Sequence, residues 1–204
     1  MKDVVAKYDA IAERYSATDY ADPERYYARR ARAVVGLGVP LTLGDTVLDL
    51  ACGDGALGPH LLALGVDYRG VDASPRMVEV AAQVVPGRVT LGDFDHLPLD
   101  PVEATTIFRS LYLVPDRRAF LAHLRGFTRK KLVFDFDPPA YPPADVIGDV
   151  AAAGWRDVVV RPFLLPQRRR VPGPLALLLE ALEPLPGARA LTRLRFPLLV
   201  SARV

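Results

Sequence analysis

Short apolar runs alternate along the chain with stretches whose apolar residues recur at helical spacing. This is the pattern of an α/β protein with a mostly parallel sheet. The apolar runs predict strands over residues 46–50, 67–71, 88–91, 104–108, 131–136, 156–163 and 195–203. Helices are predicted over 3–16, 23–36, 56–65, 75–84, 116–125, 143–153 and 174–185. Local signals mark the ends. Asp22-Pro23 and Ser74-Pro75 each pair a capping side chain with a first-turn proline. Gly36 or Gly38, Gly65 and Gly154 stand where helices stop, and DPPAYPP (137–143) halts the chain after the fifth strand.

The chain has 204 residues, which suits one domain with a substantial core. Within it, residues 1–38 read as an N-terminal helical cap and 164–194 as a proline- and arginine-rich insertion before the last strand. The net charge of +2 implies neither a nucleic-acid nor a membrane partner. Cys52 is the only cysteine, so an internal disulfide framework and a multi-cysteine zinc site are excluded, and a reducing cytoplasmic setting is expected. The charged opening MKDVVAKYDAIAERYS does not read as a signal peptide. The most apolar stretch, 174–185, is too short to span a bilayer and contains Glu180 and Glu183.

The candidate chemistry lies in VLDLACGDGALG (47–58). A buried strand feeds a turn containing Gly53 and Gly55, with a helix behind it; glycines permit positive φ and close backbone approach to a ligand. In an open α/β sheet this is where nucleotide-like ligands bind. Gly53, Gly55 and Gly58 also spell GxGxxG, and Asp72 follows 19 residues after Gly53, which matches a dinucleotide-binding fingerprint. Charge separates the two readings. A pyrophosphate needs positive potential at this loop, whereas Asp49 precedes it and Asp54 lies between the glycines. Two carboxylates there favour a ligand that is cationic and free of phosphate.

The loop resembles motif I of class I S-adenosylmethionine-dependent methyltransferases, an acidic residue followed by x-G-x-G-x-G. Asp49, Gly53 and Gly55 match it, and Ala51 replaces the first glycine. VDAS (71–74) is similar to the family's second motif. The resemblance implies that Asp72 accepts hydrogen bonds from the ribose hydroxyls, beside Ala73, with Met77 near the adenine or in the core. GDFDHLPL (92–99) resembles the loop after the third strand, so Asp93 would bond the adenine amino group and Phe94 would offer its amide or ring edge. TTIFRSLYLVPD (105–116) resembles the fourth strand and the loop facing the transferred methyl group. There the carbonyl of Arg109 would meet the methionine ammonium. The implied fold is a doubly wound, mostly parallel seven-stranded sheet with helices on both faces, extra N-terminal helices, and an antiparallel last strand inserted between the fifth and sixth. The implied activity is methyl transfer from S-adenosylmethionine, with S-adenosylhomocysteine as product.

Three residues are candidates near the methyl group. YDAIAERY (8–15) is similar to an N-terminal helix that covers the cofactor in the family, so Tyr15 either lids the methionine end or packs the helix on the sheet. Tyr112 either orients or deprotonates an acceptor hydroxyl or merely lines the site. Arg109, a cation beside a cationic ligand, suggests a grip on an acceptor carboxylate. His60, His96 and His123 read as structural or solvent-facing, and no metal site is expected. Cys52 reads as a small buried residue.

Between Arg161 and Arg195 there are seven arginines against Glu180 and Glu183, which suggests an anionic small-molecule acceptor. No aromatics interleave with them from Arg168 onward, which counts against a nucleic-acid partner. The apolar run 174–185 could join two copies as a homodimer. The rival functions are a nicotinamide (NAD)-dependent oxidoreductase using the glycine loop, and a methyltransferase-like protein that binds without catalysis.

Overall fold

The structure, a computed structural model, describes residues 2–94, 100–185, 187–188 and 196–204. Its centre is a seven-stranded sheet in the order β3-β2-β1-β4-β5-β7-β6. The strands are β1 (Thr46–Leu50), β2 (Asp67–Asp72), β3 (Val89–Leu91), β4 (Val102–Ile107), β5 (Thr128–Phe136), β6 (Arg156–Pro162) and β7 (Leu198–Arg203). β7 runs antiparallel between β5 and β6; the pairs from β3 through β5 are parallel. This is the expected topology, with the last strand inserted where the resemblance placed it. Position 195, the expected first residue of that strand, lies outside the described residues.

Side-chain alternation along the strands feeds a core on each face of the sheet. Val47, Tyr68, Ala104, Val133 and Leu199 pack on one face with α3 (Pro23–Gly36) and α4 (Gly58–Ala63). Leu48, Leu50, Ile107, Leu132, Phe134 and Val200 pack on the other with α6 (Arg117–Arg125) and α7 (Pro143–Ala152). α5 (Pro75–Val84) follows β2 and is capped by Ser74 Oγ, which accepts from the Met77 amide at 3.1 Å.

The N-terminal segment departs from the single helix expected over 3–16. It forms α1 (Lys2–Asp9), a 3₁₀ turn at Ala12–Arg14 and α2 (Tyr15–Asp19). Two tertiary anchors account for the break. The Asp9 carboxylate accepts from Ser74 Oγ and the Arg76 amide at the start of α5, and the Ser16 amide donates to Asp54. Each anchor fixes one part of the segment against a different element, which overrides the local helical preference.

The insertion before β7 begins in the core: Phe163, Leu164 and Leu165 are buried. Residues 167–171 are then stitched to the 19–25 connection. Ala21 N donates to Gln167 O at 2.8 Å, Gln167 Nε2 to Asp19 O at 3.1 Å, Arg170 Nε to Ala21 O at 2.8 Å, and Arg25 Nη1 to Val171 O at 2.9 Å. α8 (Gly173–Leu182) leans on α3 through Arg32–Glu180 at 3.1 Å and a buried Arg29–Glu183 pair. Leu175, Leu177 and Leu178 remain exposed on its other side. Arg189, Arg193 and Arg195 lie outside the described residues. Among the described residues no helix is long and apolar enough to cross a membrane.

Candidate active site

A cleft opens at the carboxyl ends of β1, β2 and β4, covered by α1 and α2. Its floor begins with Asp49. Alternation along β1 places Asp49 on the face of Val47, toward the cap. Its Oδ1 accepts from Oγ1 of Thr106, its register neighbour on β4, at 2.7 Å, and its Oδ2 accepts from the Tyr68 hydroxyl at 3.3 Å. Burial pushes the Asp49 carboxyl up to about 6, with Thr106, Arg30 and Tyr68 acting in the opposite sense.

After Asp49 the backbone turns through the left-handed region at Ala51 (φ 53°), Gly53 (φ 59°) and Gly55 (φ 73°). An L side chain in this region carries roughly 1–2 kcal/mol of strain. Ala51, which stands where the family pattern has its first glycine, therefore holds a conformation that glycine adopts freely. Asp72 fixes the turn: Oδ2 accepts from the Gly53 amide at 2.8 Å and Oδ1 from the Ser74 amide at 2.9 Å. Burial raises the Asp72 carboxyl above its ordinary value.

Of the expected cofactor-binding residues, Asp49, Ala51, Gly53, Asp72, Ala73, Met77, Asp93, Phe94 and Arg109 all line this cleft, and Phe94 also stacks against Phe120 at 5.1 Å. Gly55 does not. A β-carbon there would press on Ala81 at 3.0 Å, so this glycine lets the loop approach α5. Gly58, the last of the GxGxxG spacing, is likewise a packing glycine, since a β-carbon would meet Val85 and Tyr68 within 2.9 Å. Asp54 also departs from its expected place. Its carboxylate turns to the cap and accepts from Ser16 N at 3.1 Å. The acidic character of the cleft thus comes from Asp49, Asp72 and Asp93.

Six tyrosines gather around the cleft and its rim. Tyr15 lies over the glycine turn, with Cε1 3.6 Å from where a Gly53 β-carbon would stand. It meets Tyr8 edge-on at 5.9 Å and Tyr20 at 6.2 Å, and Tyr20 leads on to Tyr26 and Tyr27. Burial raises the hydroxyls of Tyr8 and Tyr15, so neither is suited to act as a base near neutral pH. Tyr112 is half exposed and outside the cofactor cleft; its hydroxyl shares a hydrogen bond of 2.8 Å with that of Tyr8. The thiol of Cys52 is pushed up by burial, consistent with a packing role. His60 lies near Glu24 and His123 beside Phe127, both away from the cleft, and His96 lies outside the described residues. No group of metal-ligating side chains occurs among the described residues.

Arg109 sits where β4 ends, at φ 55°. Its amide donates to Asp135 Oδ1 at 2.5 Å, and Asp135 Oδ2 pairs with the buried Arg30 at 2.9 Å. Its Nη1 is buried and has no hydrogen-bond partner among the described residues, and its guanidinium lies 5.8 Å from the Tyr20 ring centre. Arg109 also borders a second cavity between the loops after β4 and β5 and the 165–169 segment, with Tyr112 on its wall. Counted out to their open mouths, the cleft and this cavity hold about 970 Å³ and 1950 Å³. Nothing in the residue pattern points to Arg30 or Asp135. Arg30 is one of three arginines in four positions of α3, and only the packing shows that Arg29 and Arg30 are buried while Arg32 is exposed.

The fold is Rossmann-like, with an acidic cleft at the carboxyl ends of its central strands. Residues 47–131 match the family described as "Methyltransferase domain". The chain is 28% identical to the demethylmenaquinone methyltransferase of Thermobifida fusca, over 94% of this chain and 84% of that one. Two solved structures share the fold. One is a S-adenosylmethionine-dependent methyltransferase from Archaeoglobus fulgidus (18% identity, 89% and 94% of the two chains, TM-score 0.60). The other is magnesium protoporphyrin IX methyltransferase from Synechocystis with S-adenosylmethionine bound (19% identity, 88% and 76%, TM-score 0.59). The chain is thus similar to S-adenosylmethionine-dependent methyltransferases, through the domain match over residues 47–131 and the relative aligned over most of its length. The cleft suits that cofactor: Asp49, Asp72 and Asp93 offer carboxylates to a ligand without phosphates, and Met77 and Phe94 offer apolar surface to a flat base.

Proposed function

We propose that this methyltransferase acts on a small organic acceptor that carries an anionic group, and that Arg109 grips that group. The observation that carries this reading is the position of Arg109. A buried, unpartnered guanidinium nitrogen is costly unless a ligand pairs it, and the residue borders both cavities. The named relatives that act on demethylmenaquinone and magnesium protoporphyrin IX support a small-molecule acceptor.

The bound cofactor supplies an electrophilic methyl group on a sulfonium, a good leaving group. The chain's own task is then to bind, orient and keep water out. Asp49 and Asp93 take the cationic and amino groups of the cofactor, and Asp72 its ribose. Tyr15 roofs the glycine turn, and the Tyr8–Tyr112 pair closes the gap between α1 and the loop after β4. No side chain is assigned as a strict base, because displacement from a sulfonium needs little more than a well-placed nucleophile. The exposed leucines of α8 support the expected contact between two copies, which sedimentation of the wild type beside Leu177→Glu tests.

Replacing Arg109 with leucine tests the acceptor reading. The acceptor KM should rise by about tenfold or more, the gain of a charge-assisted hydrogen bond, while affinity for S-adenosylhomocysteine stays nearly unchanged. An equal loss of both would refute it.

A further inference from the structure

The second cavity has a chemistry of its own. Tyr26, Leu111, Phe136, Tyr141, Leu165 and Phe196 give it a broad apolar and aromatic wall. Arginines stand at two places around that wall: Arg109 at the border with the cofactor cleft, and Arg168 and Arg169 on the opposite segment. Two carboxylates also face it, but they do not cancel the arginines. Asp135 is already paired with Arg30, and it accepts the Arg109 amide. Asp137 is one carboxylate against three guanidinium groups. Arg168 has a loose partner, Asp19, at 3.8 Å, and Arg169 has no ion pair among the described residues. Both are exposed, so their charges stand at the mouth of the cavity.

The mouth is held in shape. Gln167 and Arg170, on either side of the two arginines, are hydrogen-bonded to the 19–21 backbone, so Arg168 and Arg169 project from a fixed turn. A pair of guanidinium groups on a tethered segment beside an aromatic wall suits a planar apolar body bearing an anion.

We propose that the second cavity is the acceptor site, and that it selects a flat apolar molecule carrying a second anion, at the end away from the group held by Arg109, that rests on Arg168 and Arg169. In this arrangement the two arginines determine specificity, and the methyl-accepting end of the molecule reaches past Arg109 toward the cofactor cleft. The proposal rests on the methyl-acceptor reading above and adds to it the body of the acceptor and the residues that choose it.

A binding experiment tests it without knowledge of the acceptor. The wild-type protein, saturated with S-adenosylhomocysteine, is titrated with 1-anilinonaphthalene-8-sulfonate and with its neutral counterpart N-phenyl-1-naphthylamine, reading fluorescence. The sulfonate should bind once per chain and about tenfold tighter than the neutral compound. Arg168→Ala combined with Arg169→Ala should remove that preference and leave the neutral compound's affinity unchanged. Ala140→Trp, at an exposed position on the cavity wall, should exclude both compounds. Calorimetry should show the homocysteine product binding all variants alike. Equal affinities of the two compounds, insensitivity to the arginine substitutions, tighter sulfonate binding when the homocysteine product is left out, or loss of the sulfonate's signal in Leu177→Ser on α8 would each overturn the proposal. Failure of the homocysteine product to bind at all, with the arginine-dependent sulfonate preference intact, would remove the methyltransferase reading and leave an anion-selective cavity standing.

Discussion

Asp135 carries Arg109: one oxygen of its carboxylate accepts the Arg109 amide at 2.5 Å while the other pairs with Arg30 at 2.9 Å. One buried carboxylate thus serves both a left-handed backbone turn and a buried guanidinium that also lies 4.3 Å from the centre of the Phe108 ring. Asp135→Ala leaves the Arg30 charge buried without a partner, and should destabilise the protein by about 3–5 kcal/mol in urea unfolding. Asp135→Asn keeps an acceptor for the Arg109 amide and should cost less. A cost below about 1 kcal/mol for the alanine variant would show that the pairing with Arg30 contributes nothing.

Asp49 links cofactor binding to pH. Its folded-state value of about 6 lies above the ordinary carboxylate value near 4. Between those values the folded state binds more protons than the unfolded chain, so this group's contribution to stability grows as pH falls through 6. Affinity for a cationic ligand moves the opposite way, because protonation removes the negative charge. Calorimetry from pH 8 to pH 5 should therefore show S-adenosylmethionine affinity falling below about pH 6 while the ligand-free protein gains stability from this site. Asp49→Asn should abolish this component of the affinity's pH dependence and weaken binding by about tenfold. An affinity that holds constant to pH 5 would contradict the role given to Asp49.

Much of this was legible beforehand. Strands such as 46–50 announce themselves because a buried parallel strand must be continuously apolar, and Asp49 and Asp72 stand out because they interrupt that pattern at strand ends. What stayed hidden depends on contacts distant in sequence. Helical periodicity over 3–16 could not show that Asp9 and Ser16 are held by Ser74 and Asp54, so the break between α1 and α2 was missed. The spacing of glycines does not say which faces a ligand: Gly53 does, whereas Gly55 and Gly58 face α5, Val85 and Tyr68. Tyr8 and Tyr112 are 104 positions apart, and no local pattern pairs them.

Ala51 is a measurable strain. Ala51→Gly should relieve it, offset in part by the greater freedom of glycine in the unfolded chain, and raise stability by up to about 1 kcal/mol. Thermal unfolding of the two proteins decides, and a lower midpoint for the glycine variant would mean that the turn bears no strain there.

Tyr15 should act through its ring. Tyr15→Phe keeps the edge contacts with Tyr8 and Tyr20 and should change S-adenosylhomocysteine affinity by less than about threefold. Tyr15→Ala uncovers the Gly53 turn and should cost about tenfold or more. If the phenylalanine variant loses as much as the alanine variant, the hydroxyl is the working part.

The central claim is that the cleft at the end of β1 is built for a cationic, phosphate-free cofactor. Isothermal titration of the purified protein with S-adenosylmethionine, S-adenosylhomocysteine and NADH tests it most directly. One site per chain for the first two and no heat from NADH is the predicted result. Binding of NADH with no response to either methionine derivative would contradict it.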